Sequence, residues 1–137
     1  MQPFGFLELS VTLEGNGTTE AELRATAQYL ENHAQNMTCS IDGQVVRNLT
    51  GNRVQSPLFT IGPLPDNNVF EASGVTAPAG TTTSSVSDDV FVMLAPLSVG
   101  RHTIHFTGSL VFTAAQDGFD FIFSQDITYN IAVRPGN

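Results

Sequence analysis

His102 and His105, three residues apart in "RHTIHFTG", are the two side chains in this sequence best suited by type to proton transfer or metal binding. On a helix that spacing would let both imidazoles share an ion. Here apolar and polar residues alternate, which is the pattern of a strand, and strand residues three apart point to opposite faces. His102 shares its face with Ile104 and Phe106, so a buried, hydrogen-bonded imidazole is expected. His105 falls with Arg101, Thr103 and Thr107 on the polar face and is expected to meet solvent. Zinc asks for three or four ligands, and Cys39 with three scattered histidines declares no such set. The sharper reading puts His102 or His105 in a binding cleft with Asp88 and Asp89, which lie just upstream.

Acidic residues cluster at Asp66-Asn67-Asn68, at Asp88-Asp89, and at Asp117 with Asp120. Oxygen-rich loops of this kind suit calcium, with Asp66, Asn67, Asp88 and Asp89 as the candidate ligands. A calcium-dependent or glycan-binding surface on the loop 62–89 follows from that reading. The ordered D-x-[DN]-x-[DN]-G loop does not occur, and turn chemistry accounts for the same residues. There is no G-x-S-x-G, no Gly-rich phosphate loop and no H-E-x-x-H. A small hydrolase or isomerase built from His102 or His105 and a nearby carboxylate is the remaining catalytic alternative. No spacing among Glu8, Glu71, Asp88 and Asp126 selects a glycosidase pair. With no Trp in the chain, Tyr29, Tyr129 or a Phe would have to stack on a sugar.

Composition narrows the class. The 137 residues fit one ordinary domain, 1–137, with 41% apolar residues and ten Phe, too apolar for disorder. Only 13% are charged, about half the usual share. Surface polarity must come from Thr, Ser, Asn and Gln, a habit of exported β-proteins. The net charge is −8 and all five cations are Arg, so no basic patch can hold a phosphate backbone, and nucleic acid is not an expected partner. An anionic membrane surface would repel the chain, and no run of about 18 apolar residues makes a transmembrane helix. Export, to the periplasm, the cell surface or the medium, then implies that a signal segment has been removed. Cys39 stands alone in an alternating stretch and is expected to be a small buried hydrophobe. Three Asn-x-Thr sequons, at Asn16, Asn36 and Asn48, would matter only in a eukaryotic secretory pathway.

The elements that must position these residues are mostly strands. "FLELSVTLEG" alternates, with Leu7, Leu9, Val11 and Leu13 on one face. One helix is expected near 19–35: Thr19 and Glu22 form a capping box, and Leu23, Ala27, Leu30 and Ala34 make the apolar stripe. His33, near its end, suits the C-terminal dipole. "TCSIDGQVV" reads as a hairpin with a type I′ turn at Asp42-Gly43, and "NLTGN" as a further turn. "RVQSPLFTI" reads as a strand whose Pro57 marks an edge or a bulge. Residues 62–87 read as a long irregular loop, and "VFVMLA" (Val90 to Ala95) as a central strand covered on both faces. "SLVFTAAQDGFDFIF" reads as a hairpin turning near Gln116-Asp117-Gly118. "DITYNIAV" then continues the inward parity of Phe119, Phe121 and Phe123, so the two segments can form one long strand, with or without a bulge.

The segments "NRVQSPLFTIGPLPDNNVF", "SDDVFVMLAPLSVGRHTIHFTG" and "DITYNIAV" resemble the C-terminal half of a group of uncharacterised bacterial secreted or periplasmic proteins. That group carries an L-x-P-L-S-x-G-x-H-T-I-H-F signature. The resemblance runs from about Leu23 to Val133. It implies an extracytoplasmic compartment and no catalytic residues; members of the group carry an extra N-terminal segment, so the chain is a short relative, a processed product or a trimmed piece of one. The chain departs from the pattern at "SDDVF" and in "VFTAAQDGFDFIF", which lengthens a hairpin.

The expected fold is an all-β antiparallel sandwich of immunoglobulin-like or jelly-roll type, with about eight strands and one α-helix. The expected function is non-catalytic: binding, or assembly of a surface structure or fibre, through a protein partner or through copies of the chain itself. Exposed Thr/Asn strand faces and sheet edges allow contacts by strand addition.

Overall fold

The computed structural model describes residues 9–136. In chain order the elements are β1 (Leu9–Val11), α1 (Glu20–Glu31), β2 (Ala34–Ile41), β3 (Gln44–Val45), β4 (Arg53–Gln55), β5 (Phe59–Ile61), α2 (Val69–Ala72), β6 (Thr83–Val90), β7 (Gly100–Phe112), α3 (Ala114–Asp117) and β8 (Phe121–Val133). The chain is mostly β, with two antiparallel sheets and few helices, the all-β class expected. Contacts divide it into two interleaved compact units.

One unit takes the chain from β1 through Glu31 together with Gln55–Asp88. In its sheet β6 pairs with β1, β4 and β5. The capping box of α1 forms as expected. Glu22 N donates to Thr19 Oγ1 at 3.3 Å, and Glu22 Oε2 accepts from the backbone N–H groups of Thr18 at 2.8 Å and Thr19 at 3.0 Å. These bonds favour the ionised carboxylate and hold its pKa at about 2. Gly17, at φ +141°, lies so close to this cap that a Cβ there would meet Glu22 Cβ at 2.5 Å. Leu23 and Ala27 bury against Val86 of β6. A second cluster gathers Leu64, Phe70 and Ala77, with Leu13, Ile61 and Val75 beside it. Asn68 organises it: Oδ1 caps α2 by accepting from Phe70 N and Glu71 N, while Nδ2 donates to the carbonyls of Pro65 and Ala77.

Several expectations are corrected here. In "FLELSVTLEG" the described strand, β1, ends at Val11, and Leu13, expected on its inner face, falls in a 3₁₀ turn at Thr12–Glu14. Leu7 and Glu8 lie outside the described residues. "RVQSPLFTI" is two strands, β4 and β5, because the chain breaks at Ser56-Pro57-Leu58. The long loop from residue 62 ends early. Thr83 onward is β6, and every residue from Ser85 to Val90 in it is buried. Residues 91–98, by contrast, belong to no strand. Val92 and Leu94 tuck into a core while Met93 is 77% exposed, so "VFVMLA" is half-covered rather than central.

The other unit holds Asn32–Val54 and the chain from Asp89 on. Its sheet has the order β3-β2-β7-β8. Asp42 and Gly43 both take positive φ, 49° and 78°, and close the β2–β3 hairpin as a type I′ turn requires. α1 stops at Glu31, short of the expected end, because the backbone of His33 already joins the sheet: Val111 N donates to His33 O at 3.0 Å. Ala34, the fourth residue of the expected helical stripe, is the first of β2. β7 and β8 form a hairpin of two 13-residue strands. Their register is continuous from Gly100↔Val133 to Phe112↔Phe121, so the long terminal strand carries no bulge. Ile104 and Phe106 of β7 and Cys39 of β2 form the core, lined by Ile127 and Ile131 of β8. The opposite face is a polar ladder in which Thr38 bonds Thr107 and Ser109 bonds Ser124.

Candidate functional site

His102 sits where the sequence put it, on the core side of β7, with its side chain 10% exposed. Its Nδ1 lies 2.7 Å from Asp42 Oδ2 at the β2–β3 turn, and its Nε2 lies 2.8 Å from the Ser98 carbonyl. Asp42 Oδ1 accepts from Thr103 N at 2.8 Å. The carboxylate and, secondarily, the Ser98 carbonyl favour the charged imidazolium and raise the pKa of His102. The same contact with His102, followed by that with Thr103, lowers the pKa of Asp42. Ser98, His102 and Asp42 therefore share the residue types of a hydrolytic triad. Their arrangement differs from one: Nε2 is directed at the Ser98 carbonyl, and Ser98 Oγ is farther off at 3.5 Å. A base aimed at the hydroxyl needs that Nε2 position open to the hydroxyl proton. The geometry is that of a clip that fastens the Ser98 backbone to the Asp42 turn.

His105 lies on the opposite face, as the strand parity requires. It reaches diagonally across β8 to Asp126, with Nε2 and Oδ1 2.8 Å apart and the side chains 40% and 76% exposed. The two histidines share no partner. Asp88 and Asp89 are in β6, not in a turn, and each residue is 1% exposed. Gln55 Nε2 donates to Asp88 Oδ2 at 2.8 Å. Asp66 and Asn67 lie on an exposed turn, Asn67 at φ 55°, just ahead of the α2 cap. Among the described residues no group of three or more His, Cys, Asp or Glu side chains is placed to hold a metal ion. Cys39 is buried and free, as expected, and burial raises its thiol pKa, which keeps it from reacting.

His33 is the residue whose role sequence reasoning missed. It lies two residues past the end of α1, in the turn before β2, and stacks on Phe112 with ring centroids 4.4 Å apart. Its Nε2 meets Asp117 Oδ1 in the connection between β7 and β8.

The outermost strand, β8, is the most unusual surface. It ends the sheet order, and among the described residues no strand pairs with its outer side. Sheet edges present a row of backbone donors and acceptors, and natural edges are blunted by Lys, Pro, bulges or short length. β8 has 13 residues, no bulge, no Pro, no Lys or Arg and one charge, Asp126, which His105 already engages. It also carries exposed apolar side chains on both faces: Phe121 is 52% and Phe123 43% exposed on one, Ile122 66% on the other. The sequence signal for it was the parity shared by Phe119, Phe121 and Phe123 with Ile127, Tyr129, Ile131 and Val133, interrupted only by Gln125. That signal allowed one long strand; its start at Phe121, its lack of a bulge and its position at the sheet edge come from the structure.

No helix among the described residues is long and apolar enough to cross a membrane. No protein-family model, no curated protein and no solved structure matches the chain.

Proposed function

We propose that this protein is a non-catalytic extracytoplasmic β-domain that binds by strand addition on the outer edge of β8, in the assembly of a surface structure or fibre. The observation that carries this reading is the 13-residue, unbulged, nearly uncharged edge with exposed Phe121, Ile122 and Phe123. Backbone bonds along such an edge supply affinity, and alternate side chains supply selectivity. Low charge and Thr-rich faces accord with life outside the cytoplasm.

The test uses a fluorescent peptide of alternating Val and Thr, with a proline-interrupted version as control, followed by anisotropy. Saturable binding is expected. It is lost with the proline peptide and with the Ile122→Lys/Thr128→Lys variant, whose charges sit on the exposed outer face. No binding, or binding that the variant retains, would overturn the reading.

A further inference from the structure

We infer that the strand docked on β8 is β8 of a second copy, running antiparallel about a two-fold axis at Ile127. This rests on β8 being a docking edge. The result would be one continuous sheet through both copies.

The sequence of β8 is complementary to itself in one antiparallel register. An antiparallel mate must preserve the alternation of faces, because a one-residue slip turns every side chain over. With the axis at Ile127, all 13 residues of the strand find a mate. Phe121 lies opposite Val133 of the second copy and Phe123 opposite Ile131, apolar against apolar on the core-side face. Ser124 meets Asn130 and Asp126 meets Thr128 on the polar face. Ile127 meets itself. Moving the axis to Asp126 would set two carboxylates face to face, which is destabilising. Moving it to Thr128 would leave Phe121 and Ile122, two of the most exposed apolar residues on the strand, facing Pro135 and Arg134 beyond the end of the other β8.

Charge separates a second copy from a basic partner. Each copy carries −8, so two copies repel through solvent, and salt should strengthen their association. A cationic partner strand would be weakened by salt instead. At the contact the repulsion is small, since Asp126 is the strand's single charge and His105 is its neighbour at 2.8 Å.

Cysteine cross-linking reads the register directly. Opposed residues have Cα atoms about 4.5–5.5 Å apart, within the roughly 7 Å limit for a disulfide. Ile127→Cys should therefore oxidise to a covalent dimer, faster as salt is raised. Gln125→Cys and Tyr129→Cys, each alone, place their thiols four residues out of register, roughly 13 Å along the strand, and should not cross-link. Mixed together they should. The wild type, whose Cys39 is buried, is the control. Mixed Asp126→Cys and Thr128→Cys proteins repeat the test with side chains outside the core, so a folding defect at Ile127 does not decide the matter. Failure of both the Ile127→Cys and the mixed pairs to cross-link overturns self-pairing. If the Val/Thr peptide still binds the wild type and not the edge variant, the docking edge survives that failure; if it does not, both proposals fall.

Discussion

His33 Nε2 and Asp117 Oδ1 are 2.9 Å apart, with side chains 4% and 2% exposed, and the pair joins the chain entering β2 to the connection between β7 and β8. Asp117 Oδ2 also accepts from Thr113 N, so the carboxylate organises the α3 turn while it holds the histidine. Removing one member of a buried pair strands the other away from water. His33→Ala should cost about 3 kcal/mol or more in chemical denaturation. His105→Ala, which breaks the exposed pair with Asp126, should cost less than about 1 kcal/mol. Equal losses in the two variants would contradict the assignment of His33 as a buried fastener.

The His102–Asp42 clip gives stability a definite pH window. The folded pKa of His102 is raised above its ordinary 6.5. Its contribution is therefore complete below about 6.5 and disappears as pH rises through the folded value. Asp42 is lowered from 3.8, so its contribution is present above about 3.8 and is lost as pH falls through its folded value. The stabilising excess of the wild type over His102→Gln should thus be greatest between about pH 4 and 6.5. Thermal midpoints measured across pH check this, and parallel curves for the two proteins would refute the clip.

Glu22 adds to the acid limb beside Asp42. With a carboxyl held at about 2, it stabilises the fold above its ordinary 4.5 and ceases to do so as pH drops towards 2. Glu22→Gln should flatten the fall in stability over that range. Circular dichroism at 222 nm, followed from pH 5 to pH 2 as about the useful range, would show whether α1 loosens in step.

Asn68 tests the cluster around Phe70. Its Nδ2 donates to two carbonyls, at 3.1 Å and 2.7 Å. Asn68→Asp keeps the α2 cap but sets a carboxylate oxygen against both. A loss of about 2–4 kcal/mol is expected in urea melts. Asn68→Ala should lose less, because it removes the cap and the donors without adding a charge. The opposite order would mean that capping, not the bridge to Ala77, is its main role.

The sequence read well where side-chain alternation and turn chemistry agree. Ile104 and Phe106 faced inward as expected, Asp42-Gly43 turned as expected, and Thr19 with Glu22 opened α1. It read poorly where burial falls on small polar residues. β6 is "TSSVSDDV", whose Ser85 is 0% exposed, and no hydrophobic period marks such a strand. The apolar run "VFVMLA" has the composition of a central strand, yet only Val90 belongs to β6, and of the residues after it Val92 and Leu94 reach a core while Met93 does not. The end of α1 was missed because Ala34 keeps helical phase while a distant partner, Val111, has already drawn the chain into the sheet. At the candidate site the parities of His102 and His105 were legible, but their partners Asp42 and Asp126 were not. Those partners lie 60 and 21 residues away, and only strand register brings them close.

The most direct test of the account is the solution mass of the wild type and of Ile122→Lys/Thr128→Lys, by light scattering over a range of protein and salt concentrations. The account expects the wild-type mass to climb from 14.7 kDa towards twice that value with concentration and with salt, while the variant stays at 14.7 kDa. A wild type that remains at 14.7 kDa throughout, or a variant that associates equally well, would contradict it.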